Sequence, residues 1–143
     1  MMNPVTDLMS WARSARVAHA HCDVPCGLYH PHAAELAAET VEKMVEKLEG
    51  LGADDGSLAW RNSATRMIAA KEEHAEIVKH EISILWGDYF KPPHLEKWPQ
   101  LHEQVWNTLK LAGFNKQNVD MKAAGELRSE VKKIADIFWE SKK

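Results

Sequence analysis

Apolar residues recur at intervals of three and four along most of this chain, and this spacing limits its possible folds more than any other feature. Such a period is typical of amphipathic α-helices that bury one face. The chain has no alternating run of β-branched residues and no hairpin signal between such runs, so strands are not expected. Four apolar stripes in 143 residues, joined by short connections, predict one all-α domain, an antiparallel up-down four-helix bundle.

The four stripes also predict a core and a set of helix ends. Gly50, Gly87 and Gly113 follow the first three stripes and are expected to end those helices. The turn from Asp54 to Ser57 offers N-caps for the second helix, and Asp120 is expected to cap the fourth. The predicted core residues are Leu36, Val41, Met44, Val45 and Leu48; Trp60, Met67, Ile68, Ala75, Val78, Ile82, Leu85 and Trp86; Leu101, Val105, Leu109 and Ala112; and Met121, Ala124, Leu127, Val131, Ile134, Ala135 and Phe138.

Charge and hydropathy exclude several classes of function. Lysine and arginine number 18 against 21 aspartates and glutamates, a net charge of −3, so a nucleic-acid partner is not expected. No apolar run approaches the roughly 20 residues needed to cross a bilayer. The first 20 residues lack the basic segment and apolar core of a secretory signal peptide. A protein without nucleic-acid or membrane partners is therefore expected.

The chain has two cysteines, Cys22 and Cys26, in a segment without helical or strand period that runs from His21 to Pro31. Two prolines and Gly27 in these eleven residues indicate a compact loop. A C-x-x-x-C pair can be a disulfide, a redox couple, half of a metal site or two unremarkable thiols. A thioredoxin-like site requires C-x-x-C, and a structural zinc site requires four ligands, so neither is favoured.

His21 beside Cys22 adds an imidazole to the two thiols. Thiolates suit copper(I), zinc and iron–sulfur clusters, while a square plane that includes nitrogen donors suits nickel(II) or copper(II). If the chain began at His21, its free α-amine, with a pKa of about 7.7–8.0, could act as a ligand. That amine, the Cys22 amide nitrogen and both thiolates would complete a square plane, with the His21 imidazole left to approach axially.

The motif around these residues resembles one found in a known family. His-Cys-Asp-Val-Pro-Cys-Gly-Leu-Tyr, from His21 to Tyr29, is similar to the metal-binding hook of nickel superoxide dismutases. The similarity extends from His21 to the end of the chain. Its further matches are Leu85–His94, Glu96-Lys97, Leu101-His102 and Ile137–Glu140. The resemblance implies an enzyme that converts superoxide to hydrogen peroxide and dioxygen, with one nickel ion per subunit cycling between its divalent and trivalent states.

The resemblance also implies a role for each matched residue. His21, Cys22 and Cys26 would hold the nickel ion, and Asp23 and Pro25 would fix the shape of the hook. The residues expected at the substrate approach are Tyr29 and Tyr89, which would line it, and Lys91, which would attract the anion.

Two positions depart from the family pattern. A glutamate on the first helix and an arginine on the second would help to hold the axial imidazole, but Ala37 and His74 occupy these positions. His74 is a candidate to bond to His21 directly. His94 and His102 are expected to have structural roles.

The resemblance further implies a processed and assembled protein. Residues 1–20 would be a propeptide that a maturation peptidase removes, and residues 21–143 would be the bundle domain, with the hook at 21–31. A cytoplasmic homohexamer is expected. The rival hypotheses are a non-enzymatic helical bundle that binds copper or zinc through the same hook, and a family member whose hook has lost activity.

Overall fold

The computed structural model describes residues 27–143, and this part of the chain is helical without a strand. None of its helices is both long and apolar enough to cross a membrane. Its elements are α1 (His32–Glu49), α2 (Leu58–Ile84), a π-helical turn (Leu85–Tyr89), α3 (Pro92–Lys97), α4 (Leu101–Gln117) and α5 (Met121–Ser141). Helix α1 packs against α2 and α5, and α4 packs against the same two helices. The four long helices therefore form the predicted bundle, with α3 in the connection between α2 and α4.

The core lies between these four helices. On α5, the predicted residues Leu127, Val131, Ile134 and Phe138 are all buried, as the period required. On α1, the prediction was partly wrong, because Leu36 is 54% exposed. The face of α1 that packs inward instead carries small residues beside two valines: Ala34, Ala37, Ala38, Val41 and Val45. Alanines add little to an apolar stripe in the sequence, but they let neighbouring helices approach closely.

Two further residues predicted to be in the core are exposed, Ile68 on helix α2 and Trp86 just beyond its end. The N-terminus of α2 begins as expected, since the Ser57 hydroxyl accepts a hydrogen bond of 3.0 Å from the Trp60 amide. Beyond Ile84 the chain continues through Gly87 as a π-helical turn, in which the Phe90 amide donates to the Leu85 carbonyl at 3.0 Å. The glycine therefore does not stop the chain from winding, and the turn carries Tyr89 to the end of the bundle.

Two further helix ends were predicted from sequence, and one prediction was wrong. Asp120 caps α5, its carboxylate accepting from the Ala123 amide at 2.9 Å. Helix α4, however, continues past Gly113 to Gln117. There the buried Asn115 side chain donates to the Ala123 carbonyl at 3.1 Å, which ties the end of α4 to the start of α5.

A lysine from α2 completes this end of α4. Lys71 is only 1% exposed, and its amine donates to the carbonyls of Asn115, Lys116 and Asn118, the last two at 2.9 Å. The last carbonyls of a helix have no partner within the helix, so a cation there both donates hydrogen bonds and meets the negative end of the helix dipole. Burial lowers the pKa of Lys71, and the carboxylate of Glu72 opposes that shift.

Candidate active site

The ligands predicted for the metal lie outside the described residues. These positions are His21, Cys22 and Cys26, together with Asp23 and Pro25, which were expected to shape the hook. The described chain begins at Gly27, whose φ of 69° is in the left-handed region that favours glycine, and reaches α1 five residues later. From Gly27 onward, no group of three or more His, Cys, Asp or Glu side chains could hold a metal ion.

Tyr29 and Tyr89 lie next to each other at one end of the bundle. Their ring centroids lie 5.6 Å apart, with an angle of 53° between the ring planes. Tyr29 precedes α1 by three residues, and Tyr89 is the last residue of the π-helical turn. Both rings are partly buried against the hydrophobic core. The structure therefore places next to each other the two tyrosines that sequence comparison predicted would line one approach.

The Tyr89 ring is held by aromatic neighbours from two elements. Phe138 of α5 lies 4.5 Å from it, between ring centroids, and His94 of α3 stacks on it at 5.6 Å with an interplanar angle of 11°. Phe90 packs edge-on at 5.1 Å. Such contacts fix the plane of the ring in addition to burying its area.

The last residue of α5 and the residue after it both contact Tyr89. The phenol oxygen lies 2.6 Å from the Ser141 hydroxyl, and the Lys142 amine lies 5.1 Å from the centre of the Tyr89 ring. The same amine is 5.1 Å from the centre of the Phe138 ring. Sequence reasoning missed Ser141 and Lys142, because no local pattern near the end of α5 indicates a partner about fifty residues earlier in the chain.

Lys91 lies at the start of α3, two residues after Tyr89. Its backbone amide donates to the Nδ1 atom of His94 at 2.9 Å, and its carbonyl accepts from the His94 amide at the same distance. These two bonds fix the backbone of Lys91, while its side chain is exposed. His94 therefore has the structural role expected of it. His102 has one too, since its Nδ1 atom accepts from the Trp86 indole at 2.8 Å.

His74 and Ala37 lie on helices that pack against each other, α2 and α1. The Nδ1 atom of His74 is 2.8 Å from the carbonyl of Ala70 on its own helix, and Ala37 is only 2% exposed. A carbonyl can only accept, so Nδ1 carries the proton and a neutral His74 ring has Nε2 as an acceptor. The predicted bond between His74 and His21 involves a residue outside the described part.

Solved structures share this architecture. The native structure of a nickel superoxide dismutase matches with a TM-score of 0.75 and 41% identity, over 86% of this chain and 100% of that one. A nickel-containing superoxide dismutase whose nickel ligation corresponds to the oxidised state matches with a TM-score of 0.74 and 37% identity, over 85% and 98% of the two chains. The fold is thus that of a class of helical-bundle metalloenzymes.

Whole-chain comparisons agree with this class. The family model for nickel-containing superoxide dismutase matches residues 16–142, a range that includes the hook motif. Superoxide dismutase [Ni] of Streptomyces coelicolor is 44% identical over 124 residues, which are 87% of this chain and 89% of that protein. Its namesake from Streptomyces seoulensis is 40% identical over the same shares. The chain belongs to the nickel-containing superoxide dismutase family.

Proposed function

We propose that this chain converts superoxide to hydrogen peroxide and dioxygen, with one nickel ion per subunit held by His21, Cys22 and Cys26. The observation that carries the proposal is the hook motif itself, which lies within the family match. It is supported by the described chain, where the two tyrosines expected beside the hook lie 5.6 Å apart. Family membership favours this function over a non-enzymatic bundle that binds copper or zinc.

The donor set fits nickel. Two thiolates, the His21 amine and the Cys22 amide nitrogen would supply two soft and two nitrogen donors, a set that suits a divalent d⁸ ion. When bound, nickel supplies the one-electron change that dismutation requires, because such donors bring its trivalent state into range. Asp23 and Pro25 would hold the loop that presents these donors, and the His21 imidazole would be a further ligand.

Around this site the chain restricts and directs the approach of substrate. Tyr29 and Tyr89 form an aromatic wall that admits a small ion and hinders larger molecules that would oxidise the thiolates. The exposed amine of Lys91 attracts the superoxide anion. Two superoxide ions and two protons yield one hydrogen peroxide and one dioxygen.

Maturation and assembly are part of the same proposal. Residues 1–20 are a propeptide whose removal by a peptidase frees the His21 amine, and residues 21–143 form the mature domain with its hook at 21–31. The mature chains assemble as a homohexamer in the cytoplasm. The exposed tryptophans Trp86, Trp106 and Trp139 suit such an assembly, because aromatic residues are enriched at interfaces.

The proposal is tested with three forms of the protein: the chain from Met1, the chain from His21, and the latter with one additional N-terminal alanine. The form from His21 should bind about one nickel per chain and be active, whereas the other two should bind nickel weakly and be inactive. The reason is that a peptide bond at His21 removes the amine lone pair. Bound nickel, dismutation rate and intact mass are measured on each.

Cys22→Ser and Cys26→Ser in the form from His21 are the matched controls. Each should lose nickel and activity but keep its helical circular dichroism, since a hydroxyl is a hard and poorly ionised donor. If the form from Met1 is active with its mass unchanged, the amine is not a ligand. If either serine variant retains full activity, the thiolate assignment is wrong.

A further inference from the structure

We propose that Ser141 is a positioning residue that accepts the hydrogen bond donated by the Tyr89 hydroxyl. Tyr89 would then line the substrate approach and accept hydrogen bonds there, and it would not be the proton donor to superoxide. The inference deepens the proposed function and rests on it for its meaning in the reaction. The hydrogen-bond assignment itself rests on the described residues alone.

The assignment follows from counting protons. The Ser141 hydroxyl lies 2.6 Å from the Phe138 carbonyl of its own helix and 2.6 Å from the Tyr89 phenol oxygen. A carbonyl oxygen can only accept, so the Ser141 hydroxyl uses its single proton to donate a hydrogen bond to the Phe138 carbonyl. The serine oxygen then offers a lone pair to its second neighbour. The phenol proton of Tyr89 therefore points to Ser141.

The surroundings of Tyr89 make this arrangement stable. Phe138, which supplies the carbonyl, also packs its ring 4.5 Å from the Tyr89 ring, so one turn of α5 holds both ends of the tyrosine. His94 stacks on the ring at 5.6 Å. The Lys142 amine, 5.1 Å from the ring centre, is attracted to the π-electrons. A ring fixed in this way keeps the phenol oxygen within hydrogen-bond distance of Ser141.

This arrangement has a consequence for proton delivery. Peroxide formation consumes two protons per hydrogen peroxide. A proton committed to Ser141 is released to superoxide only if the bond of 2.6 Å breaks. Tyr89 is therefore a poor source of these protons, whereas solvent water can supply them. The remaining lone pairs of the phenol oxygen can accept a hydrogen bond from such a water or from the peroxide product.

The chain is well suited to a direct test, because Tyr29 and Tyr89 are its two tyrosines. The full chain, without nickel, is labelled with ¹³Cζ-tyrosine and dissolved in equal parts of H₂O and D₂O. A hydroxyl that exchanges slowly gives two ¹³Cζ lines, one for each isotope, and a fast one gives a single averaged line. The Tyr29→Phe variant assigns the signal of Tyr89.

Three variants are compared with the wild type. Ser141→Ala removes the acceptor and should merge the two Tyr89 lines into one. Ser141→Thr keeps a hydroxyl and should retain two lines. Ser83→Ala is the matched control, because the Ser83 hydroxyl also donates to a carbonyl of its own helix, that of Lys79 at 2.7 Å. This bond does not involve a tyrosine, so its removal should leave the Tyr89 lines unchanged.

The possible outcomes separate the two proposals. A single Tyr89 line in the wild type, or the same line pattern in wild type and Ser141→Ala, would overturn the proposal, because the phenol proton would not be held by Ser141. Equal effects of Ser141→Ala and Ser83→Ala would also overturn it, as a general loss of helix stability. These readings need no metal, so an inactive nickel-loaded protein would refute the proposed function and leave the positioning role standing.

Discussion

Lys71→Met should lower the free energy of unfolding by about 2–4 kcal/mol. Methionine keeps most of the apolar stem and removes only the amine, so the change isolates the three hydrogen bonds at the end of α4. A buried carbonyl left without a donor costs about 1–3 kcal/mol. The carbonyl of Asn115 is in this position, whereas those of Lys116 and Asn118 are partly buried and can recruit water at lower cost.

One term opposes this loss. The amine no longer has to be desolvated, and burial is also what lowers the pKa of Lys71. The orphaned carbonyls outweigh this gain, because the dipole of α4 leaves them with uncompensated negative charge. For a chain of this length, about 2–4 kcal/mol corresponds to a fall in Tm of roughly 5–15 °C.

The assay is urea unfolding of the full chain without nickel, at a single protein concentration, followed by circular dichroism. Lys79→Met is the matched control, since Lys79 lies on the same helix and is more exposed; it should change the free energy by less than about 0.5 kcal/mol. If Lys71→Met proves as stable as the control, the three bonds contribute nothing net and the account of how α4 ends is refuted.

Two further predictions concern side chains of α2 and of the helices beside it. Ala37→Glu combined with His74→Arg should alter the electron paramagnetic resonance spectrum of the oxidised metal more than the nickel content. The reason is that, in the proposed site, these side chains would act on the His21 imidazole and not on the thiolates or backbone nitrogens. Identical spectra and rates would mean that another group already orients His21. The Lys116 amine donates to the Glu76 carboxylate at 2.7 Å, and this bond holds the pKa of Glu76 below its usual value. The pair should therefore stabilise the fold at pH values above the ordinary pKa of glutamate, and this contribution should be lost as the pH falls through the lowered pKa. The unfolding free energies of wild type and Glu76→Gln should therefore converge in acid. Since the pair is exposed, they should also converge at high salt.

Much of the fold could be predicted because its signals are local. The buried face of α5 follows from a period that Leu127, Val131, Ile134 and Phe138 keep without interruption. Asp120 and Ser57 cap their helices because a short polar side chain can reach an amide within the next turn. Leu36 was misassigned since the burial of alanines on α1 depends on how closely the neighbouring helices approach, which periodicity does not measure.

The candidate site likewise has features that local sequence predicts and features that only the packed bundle determines. Residue types and short spacing from His21 to Cys26 were sufficient to predict a metal site, because ligand chemistry depends on which donors the backbone presents within a few residues. The choice of nickel came from the resemblance to a known family. The family match supports that prediction. Neither periodicity nor motif indicated the end of α4 or the proton of Tyr89. Lys71 donates to carbonyls that lie 44 to 47 residues later in the chain, and the phenol that bonds to Ser141 lies 52 residues earlier. Hydrogen bonds of this kind have direction and short range, so only the packed bundle decides which donor reaches which acceptor.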